Sequence, residues 1–141
     1  MFTSAPGHRV RGMKMIIEYH RPETVEQAIS LLARKNPETV VLGGGLYLNE
    51  VVKTPIAVVD IQALQLTGIA KKGKHLTIGA GTNLQSLLED SKVPPGLQKA
   101  IRHQESYNRR QVATLGGSLV AAGGRSAVGA VLLALDAELK M

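Results

Sequence analysis

Apolar positions along this 141-residue chain fall into short runs and helical stripes, separated by glycine, proline and polar breaks. Thr24 and Gln27 form a capping-box pair after Pro22, and Val25, Ala28, Ile29 and Leu32 recur at helical spacing. This predicts a helix, which Asn36-Pro37 stops. Val40-Val41-Leu42 predicts a short buried strand, Leu46 to Val52 a helical turn, and Ala57-Val58-Val59-Asp60-Ile61 a second buried strand after Pro55. Strand, turn, helix and strand at this spacing make a small parallel βαβ lobe.

From Leu66 the texture changes. Leu66 to Ala70 and His75 to Gly79, joined by the polar turn Lys71-Lys72-Gly73-Lys74, predict a hairpin. Thr82 with Gln85 is a second capping-box pair, opening a helix whose stripe is Leu84, Leu87 and Leu88. Pro94-Pro95 breaks the chain, and a further helix is expected from Gly96 to His103. Val128, Val131, Leu132 and Leu135 line one more helix ending near Asp136, and Glu138 to Met141 could begin a strand. The expectation is an α+β protein: a disordered tail over residues 1–13, a βαβ lobe over 14–63 and a second α+β lobe over 64–141.

Two glycine clusters punctuate this pattern. Gly43-Gly44-Gly45 follows Val40-Val41-Leu42, and Gly116-Gly117 follows Val112-Ala113-Thr114-Leu115. Without a Cβ the backbone bends sharply and brings bare N–H groups against a ligand, an arrangement suited to phosphate. A glycine-rich strand end also serves as a tight turn or a close packing contact. Two such turns, about seventy residues apart, could hold the two ends of a pyrophosphate.

Composition narrows the classes. Hydrophobic residues make up 44%, yet only Phe2, Tyr19, Tyr47 and Tyr107 are aromatic, so the core is aliphatic and little is available to stack on nucleic-acid bases. No apolar run approaches the ~18–20 residues that span a bilayer. No leader is apparent, and the absence of cysteine excludes disulfides, thiolate nucleophiles and iron–sulfur ligation, so a cytoplasmic location is expected. The net charge of +6 is uneven: +3 over residues 1–35, −2 over 36–70 and +5 over 71–141. Such an excess suits phosphate or an acidic partner surface, or simply solvates the exterior.

Several familiar signatures nearly appear and are refused. Gly68 to His75 approximates a P-loop, but has His75 where the metal-binding hydroxyl belongs and falls in a hairpin. Gly43 to Leu48 and Gly79 to Leu84 both lack the third glycine of a dinucleotide fingerprint. Val120 replaces the closing glycine of a nucleophile elbow around Ser118. His8, His20, His75 and His103 form no ligand pair, so no metal site is expected, and Asp60 and Asp136 read as turn or capping carboxylates. With no acid, base or nucleophile standing out, any catalysis requires a cofactor.

The landmarks taken in order resemble the FAD-binding domain of the molybdenum hydroxylases, the medium subunit of the xanthine dehydrogenase and carbon monoxide dehydrogenase family. Tyr19-His20-Arg21-Pro22 with Thr24, Glu26 and Ala28 resembles the family opening. Val41-Leu42-Gly43-Gly44-Gly45 resembles its first phosphate loop, and Val58-Val59-Asp60-Ile61 its following strand. Leu76 to Thr82, Arg110 to Leu119 and Leu132 to Ala137 resemble the later motifs, from about residue 14 to the C-terminus.

The resemblance implies a two-lobed flavin domain with FAD pyrophosphate between the loops. The implied cofactor contacts are Leu42, Gly43, Gly44, Gly45, Leu46 and Tyr47 in the first loop, and Thr114, Gly116, Gly117 and Ser118 in the second, with Arg125 and Ser126 beyond. It also implies molybdenum-cofactor and iron–sulfur partner subunits, with the flavin relaying electrons to an acceptor. No nucleic-acid or membrane partner is implied.

The sequence departs from the pattern at four places. Leu46 and Tyr47 replace a threonine and an aspartate, Ser118 replaces an asparagine, and Ala127 replaces an aspartate after Ser126. Each lost bond to a charged group costs about 1.5–3 kcal/mol. The alternative is therefore a degenerate, non-catalytic homologue that has lost FAD and serves as an assembly subunit. The family pattern also continues beyond Leu-Asp-Ala with further strands, so the second lobe is expected to be incomplete, with an exposed sheet edge that a homo-oligomer could cover.

Overall fold

The structure, a computed structural model, describes residues 16–48 and 55–140. The expected tail over 1–13 and most of the expected turn from Leu46 to Val52 lie outside the described residues. The chain is α+β, with a three-stranded parallel sheet, a separate two-stranded antiparallel sheet and helices against both.

The first lobe contains β1 (Ile16–His20), α1 (Val25–Leu32), β2 (Thr39–Leu42) and β3 (Ile56–Asp60), in the sheet order β1-β3-β2. Every residue of β3 is buried, as expected of a central parallel strand written as an unbroken apolar run. The sequence pattern predicted β2 and β3 as buried strands, but β2, at one sheet edge, is only partly buried with Val41 exposed. β1, at the other edge, was not predicted and is partly exposed on both faces. An edge strand carries a weak alternation, so its apolar content alone did not mark it. α1 packs on β2 and β3, capped by Thr24, whose Oγ1 accepts from the Gln27 N–H at 3.3 Å. Gln27 returns its side chain to the N–H of Glu23, one residue before the box position, and the helix ends at Leu32, ahead of Asn36-Pro37.

Asp60 closes β3 as the turn carboxylate its position suggested. It accepts from the N–H of Gln62 at 2.9 Å and from the hydroxyl of Tyr19 across the sheet. On the outer strand, Arg34 forks onto Glu18 at 2.8 and 3.2 Å, beside His20. The Arg34 guanidinium, and then His20, hold the Glu18 carboxyl below its ordinary value of 4.5.

The second lobe begins with the hairpin of β4 (Ile69–Lys72) and β5 (His75–Ile78), in which Ile69 faces Ile78 and Lys72 faces His75. Lys71 and Lys72 are therefore strand residues, and the turn is only Gly73-Lys74. The helices are α2 (Leu84–Glu89), α3 (Pro95–Gln104), α4 (Tyr107–Val112), α5 (Leu115–Ala121) and α6 (Ala127–Ala134). Leu84, Leu87, Leu97, Ile101 and Val128 form their buried core, onto which Ile69, Leu76 and Ile78 of the hairpin pack.

Four expectations are corrected here. Asn83, not Thr82, caps α2 by accepting from the Ser86 N–H at 2.7 Å. The buried Thr82 hydroxyl instead spans the N–H and carbonyl of Gly68, joining hairpin to helix. Pro95 opens α3 rather than breaking the chain, since the first helical position needs no N–H. Val112 to Leu115 is not a continuous apolar run before a turn: Val112 ends α4 and Leu115 begins α5, so Gly116 and Gly117 sit inside a first helical turn. Residues 138–140 form no strand, and Asp136 adopts a positive φ of 53° just past α6.

Leu84→Ala is expected to lower stability by about 2–5 kcal/mol, whereas Leu133→Ala, at a position 78% exposed, should stay within about 0.5 kcal/mol in the same denaturant titration. Because the folded Glu18 pKa is depressed, its contribution is present above pH 4.5 and disappears as pH falls through the folded value. Glu18→Gln should flatten the acid side of the stability–pH curve, read by thermal melts, and leave stability near neutral pH less dependent on acidification.

Candidate functional site

The two glycine clusters, distant in sequence, meet in the fold. A Cβ on Gly44 would stand 1.5 Å from the carbonyl oxygen of Val112, and one on Gly43 would stand 3.1 Å from Thr114 Oγ1. The first cluster therefore lies directly on the segment that links α4 to α5. Only glycine permits that approach, and Gly45 turns away from it with a φ of +75°.

Packing thus accounts for Gly44 without using the loop's N–H groups. The N–H groups of Gly43, Gly44, Gly45 and Leu46 donate to no described residue. The second cluster is different. At the start of α5 the N–H of Leu115 donates to Thr82 O at 2.9 Å, Gly116 to Ala80 O at 2.8 Å, Gly117 to Thr114 Oγ1 at 3.1 Å and Ser118 to Thr114 O at 2.9 Å. All four donors of that turn are held within the chain. Thr114 is the junction: its hydroxyl oxygen caps α5 and lies beside Gly43.

The remaining expected contacts distribute as follows. Leu42 ends β2, where its carbonyl accepts from the Ile61 N–H and its side chain joins the sheet core. Leu46 packs against the helical core of the second lobe. Tyr47 crosses to the same lobe, donating its hydroxyl to Glu105 Oε1 at 2.5 Å, with its ring 3.9 Å from where a Gly117 Cβ would be. Burial first, and then the Glu105 carboxylate, raise the Tyr47 phenol above 10.0, while a bond from Ser118 works the other way.

Ser118 is 1% exposed and accepts from Gln104 Nε2 at 2.6 Å. Ser126 donates to Gln104 Oε1 at 2.7 Å and caps α6 by accepting from Gly129 N–H. These two hydroxyls are committed to a bridge between α3, α5 and α6. Arg125 is exposed, after the left-handed pair Gly123-Gly124 that follows the C-terminal end of α5, the end remote from Gly116 and Gly117.

The sequence reading missed Glu105, Arg109 and Gln104. Glu105, 8% exposed, receives Tyr47 on one carboxylate oxygen and Arg109 Nε on the other at 2.6 Å, and its backbone carbonyl accepts from Arg110 at 2.9 Å. The Arg109 guanidinium also lies 5.8 Å from the centre of the Tyr47 ring. Nothing local marks Glu105, because its partner lies 58 residues away. Two open grooves, of about 520 Å³ along α1 and about 250 Å³ between the hairpin and α2, are lined by none of the glycine-loop residues. No group of three or more metal-ligating side chains occurs among the described residues, and no described helix is long and apolar enough to cross a membrane.

A parallel sheet whose glycine loop has N–H groups that donate to no described residue, packed on a helical lobe, defines an α+β domain. The chain belongs to the family described as the FAD binding domain in molybdopterin dehydrogenase, whose model matches residues 13–141. It is 36% identical over 130 residues to uncharacterized protein YgfM of Escherichia coli K12, covering 89% of this chain and 49% of that one. It is 33% identical over 76 residues to the carbon monoxide dehydrogenase medium chain of Afipia carboxidovorans, covering 50% of this chain and 26% of that one. Among solved structures, carbon monoxide dehydrogenase from Hydrogenophaga pseudoflava superposes with a TM-score of 0.69 at 28% identity, over 77% of this chain and 40% of that one. Quinoline 2-oxidoreductase from Pseudomonas putida 86 gives 0.63 at 26% identity, over 76% and 40%. The chain spans about half the length, or less, of these relatives.

Gly44→Ala forces a methyl group onto the Val112 carbonyl and is expected to destabilise by at least about 3 kcal/mol, visible as a lowered thermal midpoint.

Proposed function

We propose that the chain binds FAD through the loop Gly43–Leu46 and acts as the flavin-carrying part of a molybdenum-hydroxylase-type oxidoreductase. The observation that carries this reading is the set of four consecutive N–H groups that the loop leaves without a described partner, on a backbone fixed against the second lobe. Consecutive backbone donors at a bend form a concavity suited to an anion, here the pyrophosphate. Thr114 sits beside them, while the α5 N–H groups are already used and contribute through position rather than by donating. The residues therefore fit the diphosphate on one side of the junction.

Bound FAD would supply the redox chemistry, accepting electrons from an iron–sulfur partner and passing them to an acceptor. This chain's own residues bind and orient it; no described side chain is assigned an acid, base or nucleophilic role. The relatives named as carbon monoxide dehydrogenase and quinoline oxidoreductase support a place in an assembly of that kind. A second reading, a homologue that has lost FAD and serves in assembly, is favoured by one observation. Leu46 and Tyr47, where the family pattern is polar, are turned to the second lobe.

Titration of the purified, initially flavin-free chain with FAD separates the two. The expected result is quenched flavin fluorescence and a yellow protein after gel filtration, with FAD bound at least about tenfold more tightly than riboflavin, which has no phosphate for the loop. A chain that stays colourless in excess FAD overturns the flavin reading in favour of the assembly role.

A further inference from the structure

We propose that Tyr47 is a positioning residue, whose bond to Glu105 latches the glycine loop onto the helical lobe and fixes the donors of residues 43–46 before a ligand arrives. The ligand half of this inference rests on the flavin reading above; the latch itself does not. A segment with three glycines, whose N–H groups from Gly43 to Leu46 donate to no described residue, has wide conformational freedom. Among the described residues, three contacts restrain it.

Gly44 against the Val112 carbonyl limits how closely the loop approaches, but does not hold it there. Leu46 in the helical core attracts it without fixing direction. Among the described residues of the loop, Tyr47 adds the directional bond, made to an acceptor that is itself held in place. Glu105 is buried, its other oxygen takes Arg109 Nε, and its own N–H is bonded to Ile101 O at the end of α3. The Arg109 guanidinium over the ring and Gly117 close to its edge also pack against the aromatic group.

Order established in advance is order the ligand need not impose, so a ligand that uses the loop gains affinity. The gain belongs to phosphate-bearing flavins. Riboflavin, which presents no phosphate to these N–H groups, should be indifferent to the latch. That contrast distinguishes positioning of the loop from general support of the fold.

Tyr47→Phe keeps the ring and removes the hydroxyl. Backbone ¹⁵N order parameters of residues 43–46 in the ligand-free chain should fall from about 0.85 to below about 0.6. FAD affinity should fall about tenfold, the loss expected for one hydrogen bond to a charged group. Riboflavin affinity should change less than about twofold on the same scale. Unchanged order parameters in Tyr47→Phe overturn the latch, whatever the chain binds. Equal losses for FAD and riboflavin, with a lowered thermal midpoint, also overturn it by assigning Tyr47 to global stability. If the unaltered chain binds no FAD the flavin reading falls, and the order parameters still decide on the latch.

Discussion

The close approach of Gly44 to the carbonyl of Val112 is the constraint on which the junction between the sheet and the helices depends. At that point two backbones meet with no room for a side chain, and every neighbouring contact is arranged around it. Thr114 is brought beside Gly43, Tyr47 is brought within reach of Glu105, and Leu46 falls onto the helical core. Van der Waals contact at this distance is short-ranged and steep, so a displacement of one atom's width would undo all three.

Around that contact the chain spends its polar groups unequally. The α5 side is closed, since its first-turn N–H groups, Ser118 and Ser126 all have partners within the protein. The β2 side is open, since its loop donates to no described residue. The asymmetry has a simple origin. A helix terminus packed beside the 80–82 segment finds carbonyls there to accept its donors, whereas a loop lying against the carbonyl end of α4 meets an acceptor only at a glycine Cα. Only the first loop therefore has backbone donors without a described partner.

The chain also differs from the family pattern in where it places side-chain chemistry. Leu46 and Tyr47 stand at positions where the pattern has polar groups, and both point across the junction, one into the aliphatic core and one to a buried carboxylate. In this chain both side chains hold the two lobes together. A buried carboxylate needs its bonds satisfied, and Tyr47 and Arg109 supply them.

Local pattern sufficed for what depends on near neighbours. β2 and β3 were legible as apolar runs, the hairpin from its turn, α1 from Thr24 and its stripe, and Asp60 as a turn carboxylate, because each is decided within a few residues. The sequence also supplied both glycine clusters and the motif order by which the family was recognised. Tertiary structure decided the rest. It made β1 an edge strand, drew the Thr82 hydroxyl to Gly68 and so left Asn83 to cap α2, and seated Gly116-Gly117 in a helical turn whose first N–H groups reach Thr82 and Ala80. It alone brought Glu105 to Tyr47 and showed that Gly44 is a packing glycine whose neighbours donate to no described residue. Spacing along a chain reports hydrogen bonds that close within one turn; those that close across fifty-eight residues exist only once the lobes have met.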